Sequence, residues 1–181
     1  MGKICLAIFS PNKDEILKKY IQPNNTVVIK NKKSVCKLEG CEVIDFEWVS
    51  RNYSMTLELI KDKLLILYDI DRMYKYDTTL ARFFCNIASK ETQMKIVCGN
   101  EMVKNHNYEI FSYYFFLDKQ ILNINHYWCF KANHFILDNG KPIKMLDKKY
   151  IAPKVAPYTI FEFEPRNELE KEVLNEIISA K

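Results

Sequence analysis

An open, mostly parallel α/β sheet with helices on both faces, carrying a small C-terminal strand and helix as an appendage, is the fold this sequence predicts. The strongest support lies in residues 63–100. There an apolar strand ends in an acid (Leu64-Leu65-Ile66-Leu67-Tyr68-Asp69), a helical segment comes next, and a second apolar strand ends in glycine (Lys95-Ile96-Val97-Cys98-Gly99). The other apolar runs are also short and lack strict alternation of polar and apolar residues, as strands buried on both faces do. Helical patterns separate them, and a strand, helix, strand order calls for parallel pairing.

Taken in order, Ile4–Phe9 reads as a fully buried strand, Ser10-Pro11 as its exit, and residues 13–20 as a helix with Ile16, Leu17 and Tyr20 on one side. Pro23-Asn24-Asn25 is a turn before the β-branched strand Thr26–Lys30. A third strand, Glu42–Asp45, precedes a short helix at Phe46–Arg51, and residues 64–69 form the fourth. Leu80, Phe83, Phe84 and Ile87 recur at spacings of three and four, so residues 78–88 form a helix packed on the sheet before the strand at 95–98.

From Asn107 onward the chain is dense in aromatics. Helical spacing predicts a helix over 108–122, and Trp128 with Phe130 continues a helical, mostly core region. Asp138-Asn139-Gly140-Lys141-Pro142 is a turn, and the two prolines in 152–157 break regular structure. Residues 159–163 alternate as a strand. Residues 167–179 form an amphipathic helix with Asn167 as N-cap and Glu170 in the capping-box position.

The 181 residues are expected to make one α/β domain over 1–150, with residues 151–181 as a linker, strand and helix packed upon it. No stretch approaches the roughly 18 uninterrupted apolar residues of a membrane span, and the run at 4–9 is too short for a secretory signal. A soluble, intracellular, cytoplasmic protein with no membrane partner is expected. The six cysteines are scattered through apolar segments without paired spacing, which predicts free thiols in a reducing compartment. The net charge of +4, almost all of it from lysine, permits contact with nucleic acid without demonstrating it.

The order of these segments resembles the first RecA-like lobe of superfamily-two helicase-like ATPases, the Snf-type DNA translocases in particular. Ile4–Phe9 with its proline and helix is similar to a strand following the nucleotide loop. The acid-ended strand at 64–69 matches the family's Asp-Glu-Ala-His strand, and the glycine-ended strand at 95–99 its Thr-Gly-Thr-Pro strand. The aromatic helix at 108–122 and the aromatic, basic stretch at 127–135 look like the family's next two segments, and residues 153–178 like the passage to a second lobe. The departures shape the function. No glycine-rich phosphate loop precedes the first strand, Gly2-Lys3 cannot supply one, and only four glycines exist. In Asp69-Ile70-Asp71-Arg72 a metal-binding acid survives at Asp69, but the catalytic glutamate is replaced by Ile70. Cys98-Gly99-Asn100-Glu101 keeps only the glycine, and the chain is too short for a second lobe. The resemblance therefore implies a non-enzymatic, catalytically inactive helicase-like module, from a virus, phage or mobile element as the compact chain with its Lys, Ile, Asn and Tyr bias suggests. It would need no cofactor and would bind DNA or RNA, or a protein of the replication or transcription machinery. The alternatives are half of a split ATPase completed by another chain, and a small α/β protein-interaction module.

Asp69 and Asp71 project to opposite faces if the strand continues, so they either retain part of a metal site or simply end the strand and cap the next turn. Lys30, Lys32, Lys33 and Lys37, and later Lys141, Lys144, Lys148, Lys149 and Lys154, form two basic clusters. These are either a solvated surface or a sequence-blind, salt-sensitive contact for phosphates. Arg72, Tyr74, Lys75 and Tyr76 interleave aromatic and basic residues in the loop after the acidic strand, where they either stack on bases or anchor the loop. His126, Cys129 and His134, even with Cys36 and Cys41, match no zinc spacing, so packing roles and no metal are expected. The run Tyr113 to Phe116 is mostly core. In a solitary lobe Tyr113 and Phe116, with Leu169, Val173 and Ile177 of the last helix, are candidates for meeting a protein partner, unless the helix covers that face itself.

Overall fold

The computed structural model describes residues 4–70, 73 and 75–180. Its strands are β1 (Ile4–Phe9), β2 (Thr26–Lys30), β3 (Glu42–Asp45), β4 (Leu64–Tyr68), β5 (Met94–Gly99), β6 (Phe135–Asp138), β7 (Lys141–Met145) and β8 (Thr159–Phe161). All but β6 and β7 join one parallel sheet in the order β3-β2-β4-β5-β1-β8. The helices are α1 (Lys13–Leu17), α2 (Phe46–Arg51), α3 (Tyr53–Ile60), α4 (Thr79–Asn86), α5 (Ile110–Leu117), α6 (Lys119–Leu122), α7 (Tyr127–His134), α8 (Lys148–Val155) and α9 (Glu168–Ser179).

Side chains of a strand alternate between faces, and here the two faces are covered unequally. Ala7, Phe9, Val27, Ile29, Leu65, Leu67 and Val97 enter a large core with residues of α2, α4, α5 and α9. Ile8, Val28, Leu64, Ile66, Tyr68, Ile96 and Cys98 enter a smaller one, closed by Ile16 and Leu17 of α1 and by Leu38. The predicted parallel α/β sheet is what forms. The C-terminal strand β8 extends it by pairing in parallel with β1 (Ala7 beside Thr159), and α9 buries Leu169 and Val173 in the large core.

Several elements differ in extent from expectation. The first helix ends at Leu17, because the amides of Lys19 and Tyr20 bond three residues back and tighten the chain into a turn. The helix expected over 108–122 breaks at Asp118, whose backbone is extended and whose carboxylate accepts the amide of Gln120 as the N-cap of α6. Helix α3 lies outside the expected elements, although Tyr53, Leu57 and Ile60 carry its spacing. Pro153 lies inside α8 where a break was expected. It removes a single amide, and the helix closes two residues later at Val155. The turn at 138–142 is a hairpin turn: Asn139 and Gly140 both have positive φ (48° and 75°), the pairing that suits the twist of β6 and β7.

In α7, Tyr127 and Phe130 are buried but Trp128 is 61% exposed, so this stretch is only half core. At α9, Asn167 caps the amide of Glu170 (3.0 Å), but the Glu170 carboxylate does not return to Asn167. It accepts the amides of Arg166 (2.8 Å) and Val103 (3.3 Å), tying the last helix to the segment after β5. Every cysteine is a free thiol. No helix among the described residues is long and apolar enough to cross a membrane.

Candidate nucleic-acid interface

Because the sheet is all parallel, the C-terminal ends of its strands share one edge, and the loops that leave them converge there. The loop after β1 is fixed first. Ser10 donates its amide to the Gly99 carbonyl (3.1 Å) and its hydroxyl to Glu162 (3.0 Å), while its Oγ accepts the amide of Asn12 (2.9 Å). This turn starts α1 at Lys13, which is only 7% exposed. The Lys13 ammonium reaches across the end of β5 to the carboxylate of Asp69 (3.1 Å), donates to Asn100 Oδ1 (2.6 Å), and lies 5.0 Å from the centre of the Tyr68 ring. The Tyr68 hydroxyl donates to Asp14 (2.7 Å), and burial together with that carboxylate pushes its pKa far up, so it stays protonated.

Asp69 itself has a left-handed backbone (φ 52°), and its carbonyl accepts the side-chain amide of Asn31 (2.8 Å). The next residue, Ile70, is buried in the large core. The acid at the end of β4 is thus neutralised by a lysine of the same chain, and beside it stands a hydrocarbon. Asp71 and Arg72 lie outside the described residues, as does Tyr74.

The loop after β2 borders the same edge. Lys32 and Lys33 are exposed and line an open cleft of about 610 Å³ with Asn31, Ser34, Glu47 and Asp69. Neither lysine has a carboxylate within ion-pair distance among the described residues. Lys30 behaves differently, since its ammonium donates to the carbonyls of Asn31 (3.2 Å) and Ser34 (2.8 Å) and closes the loop on itself. Lys37 is exposed but lies in a separate cleft with Lys18 and Glu39. Lys75 is exposed and faces a third cleft, lined in part by Tyr108, Tyr127 and Lys131. Lys148 and Lys149 occupy the first turn of α8, which packs on α6 and α9. The two basic clusters of the sequence therefore resolve into distinct places, of which only Lys32 and Lys33 join Asp69.

No protein-family model matches the chain, and no curated protein matches it. Function has to be read from the geometry.

The residues expected to meet a partner are taken up by the fold. Tyr113, Phe116, Leu169 and Val173 are fully buried and Ile177 packs against the same core, because α5 lies under the sheet and α9 closes over it. Tyr113, Phe116, Leu169 and Val173 present no surface to another protein, while Ile177 is only half-buried. The thiol and imidazole set is dispersed as well: Cys129 is exposed, while buried His134 faces Asp147 (3.3 Å). Among the described residues no group of three or more His, Cys, Asp or Glu is placed to hold a metal ion. Sequence reasoning missed Lys13, Asn100 and Glu162, which complete the edge. The available signal was a lysine opening a helix directly after a strand and a proline turn.

Proposed function

We propose that this chain is a catalytically inactive, helicase-like module that binds nucleic acid through phosphate contacts at the carboxyl edge of its sheet. The observation that carries the proposal is the Lys13–Asp69 pair. With Asp69 neutralised from within, the two exposed ammonium groups of Lys32 and Lys33 outnumber the Glu47 carboxylate that also lines the adjoining cleft. Point charges of this kind bind phosphate without reading sequence. The pair also supports the absence of catalysis. The Lys13 ammonium is engaged by a carboxylate and an amide oxygen, and the position after Asp69 is the buried Ile70 rather than a carboxylate able to polarise water.

The test is fluorescence anisotropy of labelled single- and double-stranded DNA at low and moderate salt, with phosphate release from ATP measured in parallel. Saturable, salt-sensitive and sequence-independent binding is expected, weakened in a Lys32→Glu/Lys33→Glu variant of unchanged thermal stability, with no ATP turnover in either protein. Absence of binding at low salt, or unaltered affinity of the variant, would remove the edge from the proposal.

A further inference from the structure

The third cleft, of about 500 Å³, lies between the loop at 75–78, the segment at 106–108, α7 and the β6–β7 hairpin. Its volume falls within the roughly 300–1,000 Å³ of small-molecule sites. The decisive residue is Lys131, which lines the cleft although only 6% exposed. Among the described residues its ammonium has one acceptor, the Gly140 carbonyl at 3.2 Å, and otherwise faces rings: Trp128 at 4.5 Å, Tyr127 at 5.3 Å and Tyr108 at 5.9 Å. No carboxylate lies within ion-pair distance of it among the described residues. A desolvated cation without a counter-ion is costly, and ring faces offset only part of that cost. An element that breaks a local rule without a compensating partner inside the chain marks a place for a ligand.

The surroundings define that ligand. Exposed Lys75 and Lys141 stand on the same cleft, and its acid, Asp77, faces Arg82 at 3.6 Å. The cleft therefore favours an anion. Its aromatic wall favours a planar group beside that anion: the exposed ring of His106 stacks on Tyr108 with centroids 5.0 Å apart and planes 13° from parallel, and Tyr127 lies on the cleft with them. Phosphate on ammonium groups and a base on aromatic faces is the chemistry by which unpaired nucleotides are held. We infer that this cleft binds one unstacked nucleotide, its phosphate on Lys131, Lys75 and Lys141 and its base against the His106–Tyr108 wall. The inference does not depend on Lys32 and Lys33. A duplex, whose bases are stacked and paired, does not fill the cleft. Two sources carry the ligand chemistry, a residue of a single strand and a free mononucleotide.

Trp128 is the reporter, with its ring beside the Lys131 ammonium, and the only other tryptophan, Trp48, is removed by Trp48→Phe. In that background the protein is titrated with a single-stranded homopolymer, the same sequence as a duplex, AMP, and inorganic phosphate. Saturable change of Trp128 fluorescence is expected with the single strand or AMP, and the more effective of the two identifies the source. His106→Ala and the pair Lys75→Ala/Lys141→Ala are each expected to weaken binding about tenfold. Lys131→Met is expected to abolish it, and the exposed variants decide the matter should that buried substitution fail to fold. An equal response to inorganic phosphate alone would overturn the assignment of a nucleotide. DNA binding by anisotropy with Trp128 silent, and with affinity unchanged in the His106 and Lys75/Lys141 variants, would overturn the site while leaving the carboxyl-edge proposal standing. Loss of binding only in Lys32→Glu/Lys33→Glu would do the same.

Discussion

Asp69 holds a left-handed backbone, a conformation that costs a residue with a side chain about 1–2 kcal/mol, and it is retained because both ends of the residue are bonded. Its carbonyl takes the Asn31 amide and its carboxylate takes Lys13. Asparagine tolerates this backbone as well as aspartate does, so Asp69→Asn removes charge without adding strain. The substitution leaves the Lys13 ammonium buried beside amide oxygens alone. A loss of about 2–3 kcal/mol in urea unfolding is expected, below the full cost of breaking a wholly buried pair because the Asp69 side chain keeps some contact with water. Adding Lys13→Met should restore part of that loss, since the double variant buries no lone charge; simple additivity would show that the pair is not coupled.

Glu170 gives a second measurable effect at the same scale. Burial raises its pKa above the ordinary carboxylate value, against the opposing pull of the Arg166 and Val103 amides. The native state thus holds this proton more tightly than the unfolded chain. The contribution of Glu170 is fully present below its unfolded pKa of about 4.3 and declines as pH rises through the raised folded value. Unfolding curves across this acidic window should show a shallower fall with pH for Glu170→Gln than for the parent, at the price of one lost amide contact. Parallel curves would mean that the carboxylate titrates normally.

At the scale of elements, local chemistry decided boundaries more often than existence. Asp118 ends one helix and caps the next, because its carboxylate competes for the Gln120 amide with the backbone carbonyl that a continuing helix would use. The β6–β7 hairpin depends on two positive-φ residues in succession. A Cβ added at Gly140 meets nothing within 4 Å, so Gly140→Ala tests the backbone alone. A loss of about 1 kcal/mol is expected from the left-handed penalty. The Gly140 carbonyl also accepts a hydrogen bond from the Lys131 ammonium. A fluorescence change at Trp128 should therefore accompany the loss, whereas unchanged stability would place the turn in a different conformation.

Across the whole molecule, the parallel sheet gathers Lys13, Asp69, Asn100, Lys32 and Lys33 at one edge and leaves its two faces unequally clothed. The larger core takes in Leu169 and Val173 of α9, so the inner face of the last helix completes the sheet's cover. Two exposed lysines at the edge set the expected salt response. Each phosphate neutralised contributes about 0.9 to the slope of log K against log salt on duplex DNA. The Lys32→Glu/Lys33→Glu variant should therefore lower the magnitude of that slope by about two, with little dependence on DNA sequence. An unchanged slope would mean that phosphate is met elsewhere on the molecule.

The α/β class, the parallel pairing, the exact extents of β1, β2 and β3, and the acid at the end of β4 were legible in the chain alone, because short apolar runs and helical periodicity are local properties. So was the absence of a carboxylate after that acid, where Ile70 stands. Where each lysine sits was settled only by the tertiary structure. Lys13 and Asp69 lie far apart in the chain, and they meet only because the strand order sets β1 and β4 on either side of β5. The same ordering buries Tyr113, Phe116, Leu169 and Val173. Helix spacing alone sets Tyr127 and Trp128 beside Lys131, but the tertiary structure adds Tyr108 and the Gly140 carbonyl of the hairpin. Hydrophobic pattern states that a residue is buried, and only the packing of distant elements states against what.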